Sequence, residues 1–369
     1  MEQNDHDKTD NFGGDAYFVL KKFFDSYLPD EPPPGKSLLE LVEQISQELP
    51  EVVDECGDIL FQALNKNAPG FFEAHHSAMS GFAERLRARW RVPLNFLERS
   101  IMLAVDAGRE LLTKRREESP SDIGNLHAAL FGLHARGCQV AFEVLTLLSN
   151  GYADGAHARW RTLHELAVIA LFIMEEGDGV AERYLCHQYV EAYKEALIYQ
   201  KYTEELGLSP LDEVHVAQLH GLSEEILKRY GKDFRDDYGW AAEALLPKKP
   251  TFANLRSRVK LEHLHPQYKL ACQNIHGAAK ALFFRLGVPG VVGKTFPITL
   301  AGPSNAGLAD PGIETAQSIF QITTALLGTA NPSFEKMVIL KALEKMVCEA
   351  QKAFLDVHQE LENSSDEDQ

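Results

Sequence analysis

The chain has 369 residues, of which 45% are hydrophobic, 9% aromatic and 25% charged, enough apolar material for a sizeable core. With 54 acidic against 37 basic residues its formal net charge is -17, which sets the average surface against nucleic acid and anionic membranes. The longest uninterrupted apolar run, Leu166 to Met174, is about half of the ~20 residues a membrane span needs, so no membrane partner is expected. Cys56, Cys138, Cys186, Cys272 and Cys348 are odd in number and never at Cys-x-x-Cys spacing, which predicts buried reduced thiols in a cytoplasmic protein, without disulfides or a zinc knuckle. The polar, acidic opening MEQNDHDKTDNFGG reverses the layout of a signal peptide.

In chain order, residues 1–13 and the acidic tail 362–369 are nearly devoid of apolar side chains and read as disordered. Residues 14–70 form an N-terminal helical arm: a helix over Asp15 to Leu28 stopped by PDEPPPG, then one capped by Ser37 to about Leu49. Pro50 breaks or restarts it into Glu51 to Asn65, and Ala68-Pro69-Gly70 closes the arm. The main domain, 71–361, starts with helices over Phe71 to about Arg91 and, past Pro93, Leu94 to about Glu118. The Ser119-Pro120-Ser121 turn leads to Asp122 to Leu148, ended by Asn150-Gly151 in a left-handed cap.

The stretch from Asp154 to about residue 175 is the expected central helix. Its second half is apolar on every side and must lie among other helices, while its first half packs polar groups. Gly177 and Gly179 turn the chain into Val180 to Leu206, an antiparallel neighbour expected to pack on the central helix. Ser209-Pro210 then caps a helix to Tyr230-Gly231, and His265 to Leu286 forms another. Residues 287–312 carry prolines, glycines and β-branched residues without a helical pattern, a long irregular loop of the kind that is usually functional. Asp310-Pro311 and Asn331-Pro332 open the last two helices. The fold class is all-α: a multi-helix bundle of about ten helices around a buried central helix.

On a wheel of ~100° per residue, His157, Arg161, His164 and Glu165 share one arc of the central helix, while Arg159 falls in the core-directed sector of Leu166 and Ala170. Two imidazoles, a guanidinium and a carboxylate on one arc can bind an anion or move a proton, with His164, Arg161 and Glu165 as the catalytic candidates. The same set also reads as an internal Arg161 to Glu165 ion pair beside two packed histidines. Arg183, His187 and Glu191 form a second polar stripe, able to meet the first at mid-height or to be a solvated face. His263, His265, Tyr268, Cys272, Asn274 and His276 form a third cluster, in which Tyr268, Cys272 and His276 share a face. The Gly302-Pro303-Ser304-Asn305 turn offers a hydroxyl and backbone amides to an anion, so Ser304 and Asn305 join Trp240 among the ligand-binding candidates.

Glu73 to His76 and Glu262 to His265 both fit the Glu-x-x-His pattern of helical di-metal oxidoreductases, but Pro266 and the absence of two further placed glutamates argue against a metal, and no cofactor is expected. The arginines around Trp90 point in different directions. The segment Lys248 to Lys260 has no acidic residue and reads as solvated surface able to touch phosphate. Walker, dinucleotide and nucleophile-elbow motifs are absent.

The ordered motifs GYADGAHARWRTLHELAVIA, Arg183-Tyr184 with His187, Tyr238-Gly239-Trp240-Ala241, Tyr268 with Asn274-Ile275-His276-Gly277, and AGPSNAGLADP resemble the bacterial family catalogued as domain of unknown function 5677, over roughly Phe71 to Leu340. That resemblance brings no activity with it. It implies that Arg161, His164, Glu165, Trp240, Tyr268 and His276 belong together. A second resemblance is to HEPN-type helical ribonucleases, whose motif is an arginine followed after four to six residues by a histidine. Arg159 to His164 fits, as do Arg256 to His263, Arg258 to His263 and Arg258 to His265. It would imply metal-independent RNA cleavage by a toxin or defence effector, with His164 handling the proton. Residues five apart lie ~140° apart on a helix, however, and the net charge disfavours nucleic acid. The expectation is therefore a helical protein whose internal polar pocket takes a small polar or anionic ligand or a regulatory partner, with a homo-oligomer permitted.

Overall fold

The computed structural model describes residues 38–118, 123–245, 249–276, 279–283, 285–288, 301–329 and 333–367. Among them are ten α-helices and no strand: α1 (Leu38–Arg89), α2 (Arg91–Glu118), α3 (Asn125–Ser149), α4 (Ala153–Glu176), α5 (Asp178–Tyr202), α6 (Glu213–Tyr230), α7 (Phe252–Arg258), α8 (His265–Ile275), α9 (Ala309–Leu327) and α10 (Phe334–Glu367). Short 3-10 turns cover Lys232–Arg235, Gly239–Ala241, Glu262–Leu264 and Ala279–Leu282. The all-α bundle is as the periodicity implies, and no helix among the described residues is long and apolar enough to cross a membrane. The expected segments 1–13, 15–28, 29–35, the 119–121 turn and residues 289–300 of the 287–312 loop lie outside the described residues.

Two compact units divide between Glu84 and Arg85, inside α1, whereas the sequence puts the boundary at Gly70. In the first unit, α1 passes through both Pro50 and Pro69, so neither residue ends a helix as expected. A proline removes one donor, but its fixed φ is already helical, and good helix formers on either side carry the backbone past it.

The second unit holds the core. Helix α4 lies at its centre between α3 and α9, with α7 and α8 across its polar head. Trp160, Leu163, Ala167, Val168, Phe172 and Ile173 of α4 are fully buried, as the apolar run demands. Each large side chain among them contributes roughly 1.5–3 kcal/mol by leaving water. Helix α9 is nearly as enclosed, burying Ala316, Ile319, Ile322, Ala325 and Leu326, and α2 and α10 cover its far side. Helix α5 does not pack chiefly on α4, contrary to expectation. Its main neighbours are α6 and α3, because the one-residue turn at Gly177 (φ 86°) directs the chain away.

Several boundaries differ for local reasons. The helix expected from Ser209-Pro210 begins at Glu213, where Asp212 is the cap and accepts from the Val214 amide at 3.1 Å. The intervening residues are tied to α5 through Tyr199 Oη to the Ser209 carbonyl and the Leu211 amide to Gln200 Oε1. Helix α8 stops at Ile275 rather than Leu286, just before Gly277, a poor helix former. Asp310 lies in the first turn of α9 and is not its cap, so Asp310 to Gly312 belong to a helix and not to the irregular loop. Helix α10 continues to Glu367, into the stretch read as a disordered tail.

The described part of the 287–312 loop is a strap. The Ser304 amide donates to the Gly151 carbonyl at 2.9 Å, and the Leu286 amide donates to Asp154 Oδ1 at 2.8 Å. Gly307 adopts φ +76°, and a Cβ there would stand 2.2 Å from the Leu286 carbonyl oxygen. Gly307→Ala is expected to cost about 1–3 kcal/mol in urea unfolding, from left-handed strain and the clash together. Unchanged stability would show that the strap is not held as described.

Candidate functional site

The head of α4 splits its polar arc into two layers. His157, Trp160 and His164 follow one another at helical spacing, and their rings stack in sequence, each pair of centroids 5.3 Å apart. All three side chains are fully buried. Trp160 is fixed at the centre by its Nε1 donating to Ser318 Oγ on α9 at 3.0 Å. Arg161 and Glu165, further round the helix, reach the edge of the cluster and keep about a quarter of their side chains exposed.

At that edge Arg161, Glu165 and Tyr268 close a triangle. Arg161 Nε donates to Glu165 Oε1 at 3.0 Å and to Tyr268 Oη at 3.2 Å, and Tyr268 Oη donates to the same Glu165 oxygen at 2.7 Å. The Arg161 guanidinium also lies over the Tyr268 ring at 5.2 Å. Burial works against the Arg161 charge, yet Tyr268 and Glu165 hold its pKa above the usual value. Burial and the Glu165 contact push the Tyr268 phenol up, so it remains protonated as a donor.

His157 Nε2 lies 3.2 Å from Glu314 Oε2 on α9, off the line a hydrogen bond needs, and no described residue hydrogen-bonds either of these atoms. Burial raises the Glu314 carboxyl above its usual range, with His157 acting in the opposite direction.

His164 faces α7 and α8. Its ring meets Phe252 edge-on and Tyr268 at a tilt, both at 5.9 Å, and neither ring nitrogen has a hydrogen-bond partner among the described residues. Burial, with the nearby Arg256 charge, depresses its pKa to about 3, so it is a neutral imidazole at physiological pH.

Arg256 is the residue that completes this end. Thr251 and Asn254 form a capping box that starts α7. One turn on, Arg256 sits over its own-helix neighbour Phe252 at 5.7 Å and over Tyr268 at 5.3 Å. It is only 5% exposed. One nitrogen, Nη2, lies 2.6 Å from His265 Nδ1, while Nε and Nη1 have no partner among the described residues. No described carboxylate is in ion-pair contact with it. Glu262 is nearby but exposed and is turned to its own backbone amide and the Ser257 hydroxyl at 2.8 Å, which hold its pKa below the usual range, with smaller contributions in the same direction from His263 and Arg256.

The remaining sequence candidates do not join this cluster. Arg159 is not directed into the core. It is partly exposed, pairs with Glu143 on α3, and turns away from His164, so the two halves of the ribonuclease-like motif do not meet. Arg183 and His187 brace the 230–243 segment. Arg183 donates to the Trp240 carbonyl at 2.9 Å and lies over Tyr230 and Phe234, and His187 Nε2 contacts the Asp236 carbonyl at 3.1 Å. Trp240 packs edge-on against Phe172 and Tyr184, beside the apolar half of α4. His276 is exposed at the end of α8. Asn305 accepts from the buried Trp90 indole at 3.0 Å, and Ser304 caps the Ala306 amide at 3.1 Å, so both serve the strap. Glu262 and His265, half of the di-metal pattern, are engaged with Ser257 and Arg256, and no three potential metal ligands converge among the described residues. All five cysteines are free, but only Cys56 and Cys138 are buried and Cys348 is exposed, so the expectation of buried thiols holds for two.

An open cleft of about 480 Å³ lies elsewhere, walled by α2, α9 and α10, with Lys114, Arg115 and Lys336 facing Glu110, Glu118 and Glu335. Lys336 has no ion-pair partner among the described residues, whereas Lys114 bridges Glu110 and Glu335 at 2.8 and 2.7 Å and Arg115 reaches Glu118 at 3.6 Å. Arg256 has no such match. The sequence concealed it in Lys248 to Lys260, read as solvated. The available signal was its i+4 spacing from Phe252 and its place beside Leu255, which put it on the inner face of α7.

Residues 127–290 match the model of a family described as "Family of unknown function (DUF5677)". The resemblance read from the motifs is thus shown over that span, narrower than Phe71 to Leu340 and excluding AGPSNAGLADP. The match includes Arg161, His164, Glu165, Phe252, Arg256, His265 and Tyr268, but not Glu314. No curated protein and no solved structure matches the chain.

Proposed function

We propose that the chain is a small-anion-binding protein, with its site where the head of α4 meets α7 and α8. One observation carries this reading: Arg256 is 5% exposed, no described carboxylate is in ion-pair contact with its guanidinium, and Nε and Nη1 have no acceptor among the described residues. A buried charge without a counter-charge costs several kcal/mol, and each unmade hydrogen bond adds about 1–3. An oxyanion supplies both the charge and the acceptors. His164 adds a neutral donor beside it, and Phe252, Tyr268 and Trp160 wall the site with apolar surface. The partly exposed Arg161–Glu165–Tyr268 triangle lies on the solvent side and is the expected point of entry. Free thiols throughout suit a reducing cytoplasm as the setting.

The test is thermal unfolding of the full chain in formate, nitrate or phosphate against a poorly bound counter-ion. The midpoint is expected to climb with the logarithm of anion concentration, as binding to the folded state requires. Arg256→Gln should abolish the climb without lowering the starting midpoint, because it removes an uncompensated charge. An identical climb in the variant would place the binding elsewhere and defeat the proposal.

A further inference from the structure

We infer that the anion taken at Arg256 is a monocarboxylate. The inference rests on the anion-site reading above and deepens it by charge and shape.

The charges at the site count as follows. Arg161 is balanced by Glu165 within the triangle, with Nε to Oε1 at 3.0 Å. His164 is neutral, its charged form disfavoured by burial and by Arg256. His265 presents Nδ1 to Arg256 as an acceptor, so that nitrogen carries no proton. Glu262 is on the exposed side and held by Ser257. One positive charge, that of Arg256, is therefore left for a ligand, and one negative charge neutralises it. A phosphate monoester carries about -1.5 to -2 at neutral pH, and the excess would be buried without a partner.

Shape agrees. A carboxylate is planar with two acceptor oxygens, and the site offers guanidinium N–H groups together with one N–H from a neutral imidazole. Nε and Nη1 of Arg256 and both nitrogens of His164 are available for this among the described residues. Around them are ring faces and edges: Phe252 and Tyr268 lie 5.1 Å apart, and Trp160 stacks on the other face of His164. These rings touch one another and offer a tetrahedral dianion few of the additional donors it needs.

The experiment is a calorimetric titration of the full chain at pH 7.5 with two matched pairs, acetate against methyl phosphate and benzoate against phenyl phosphate, with benzyl alcohol as the uncharged control. In each pair the carboxylate is expected to bind at least tenfold more tightly than the phosphate, and benzyl alcohol at least a hundredfold more weakly than benzoate. Arg256→Gln should lower carboxylate affinity at least a hundredfold. A phosphate equal to or tighter than its carboxylate in either pair overturns this inference and leaves the anion site standing. Benzyl alcohol binding as well as benzoate, or no binding by any of the four anions, overturns the anion site itself. The wild-type comparison decides the ligand class even if the variant fails to fold.

Discussion

Trp160→Ala is expected to lose about 3–5 kcal/mol of stability, read as a lower midpoint in urea unfolding. The indole is 0% exposed, separates two histidine rings that stack on its faces, and ties α4 to α9 through Ser318. Truncation removes that area from the centre of the unit and leaves a cavity that fully buried neighbours such as Leu163 and Ile319 cannot easily fill. It also orphans the Ser318 hydroxyl and frees His164 to shift, so anion affinity should fall as well. Trp160→Phe separates the contributions: it keeps a ring between the histidines but loses the hydrogen bond, and should cost clearly less than alanine. A loss below about 1 kcal/mol for the alanine variant would contradict the central place given to this stack.

The second large effect is acid lability set by buried neutral histidines. In the folded chain burial lowers His164 to about 3 and His134 to about 4, against an ordinary value of 6.5. Both must be neutral to stay buried, whereas the unfolded chain protonates them freely. Their contribution is therefore fully present above pH 6.5 and is lost as the pH falls from there toward 4 and 3, at up to about 1.4 kcal/mol per pH unit for each residue. Glu314 acts with the opposite sense. Its raised pKa means the folded state prefers the protonated carboxyl, so its contribution is present below the unfolded value of 4.5 and is lost as pH rises through the folded value. Urea midpoints measured from pH 7.5 to 4 should fall steeply for wild type and less steeply for His164→Gln. His134→Gln should flatten the profile independently, since His134 faces Thr323 and Cys138 rather than the site. Parallel profiles for wild type and both variants would contradict the assignment. Bound anion should raise the His164 pKa, so affinity should increase as pH falls within the range where the protein stays folded.

How far the sequence could be read depends on the reach of each signal. Leu166 to Met174 is apolar around the whole helix, which local pattern alone can report, and its burial follows directly. The arc of His157, Arg161, His164 and Glu165 was also legible. Its division into buried rings and a partly exposed ion pair was not, because that depends on where α9 and α8 pack. Arg256 illustrates the limit most clearly. A run rich in lysine and arginine and free of carboxylates looks solvated, and only the placement of α7 under α4 and α8 encloses one of its members. Pro50, Pro69 and Ser209-Pro210 show local preferences overridden in turn, by long flanking helix and by Asp212 taking the cap. The family match adds ordered motifs over 127–290 but no chemistry, so the site rests on geometry.

Arg256 is proposed to hold an anion beside His164. The most direct measurement is anomalous diffraction from crystals of the full chain grown with bromide in place of chloride. A bromide peak is expected within hydrogen-bond reach of Arg256 Nε or Nη1, next to the His164 ring. Bromide confined to the outer surface, with the Arg256 nitrogens bound to a carboxylate of the chain itself, would contradict it.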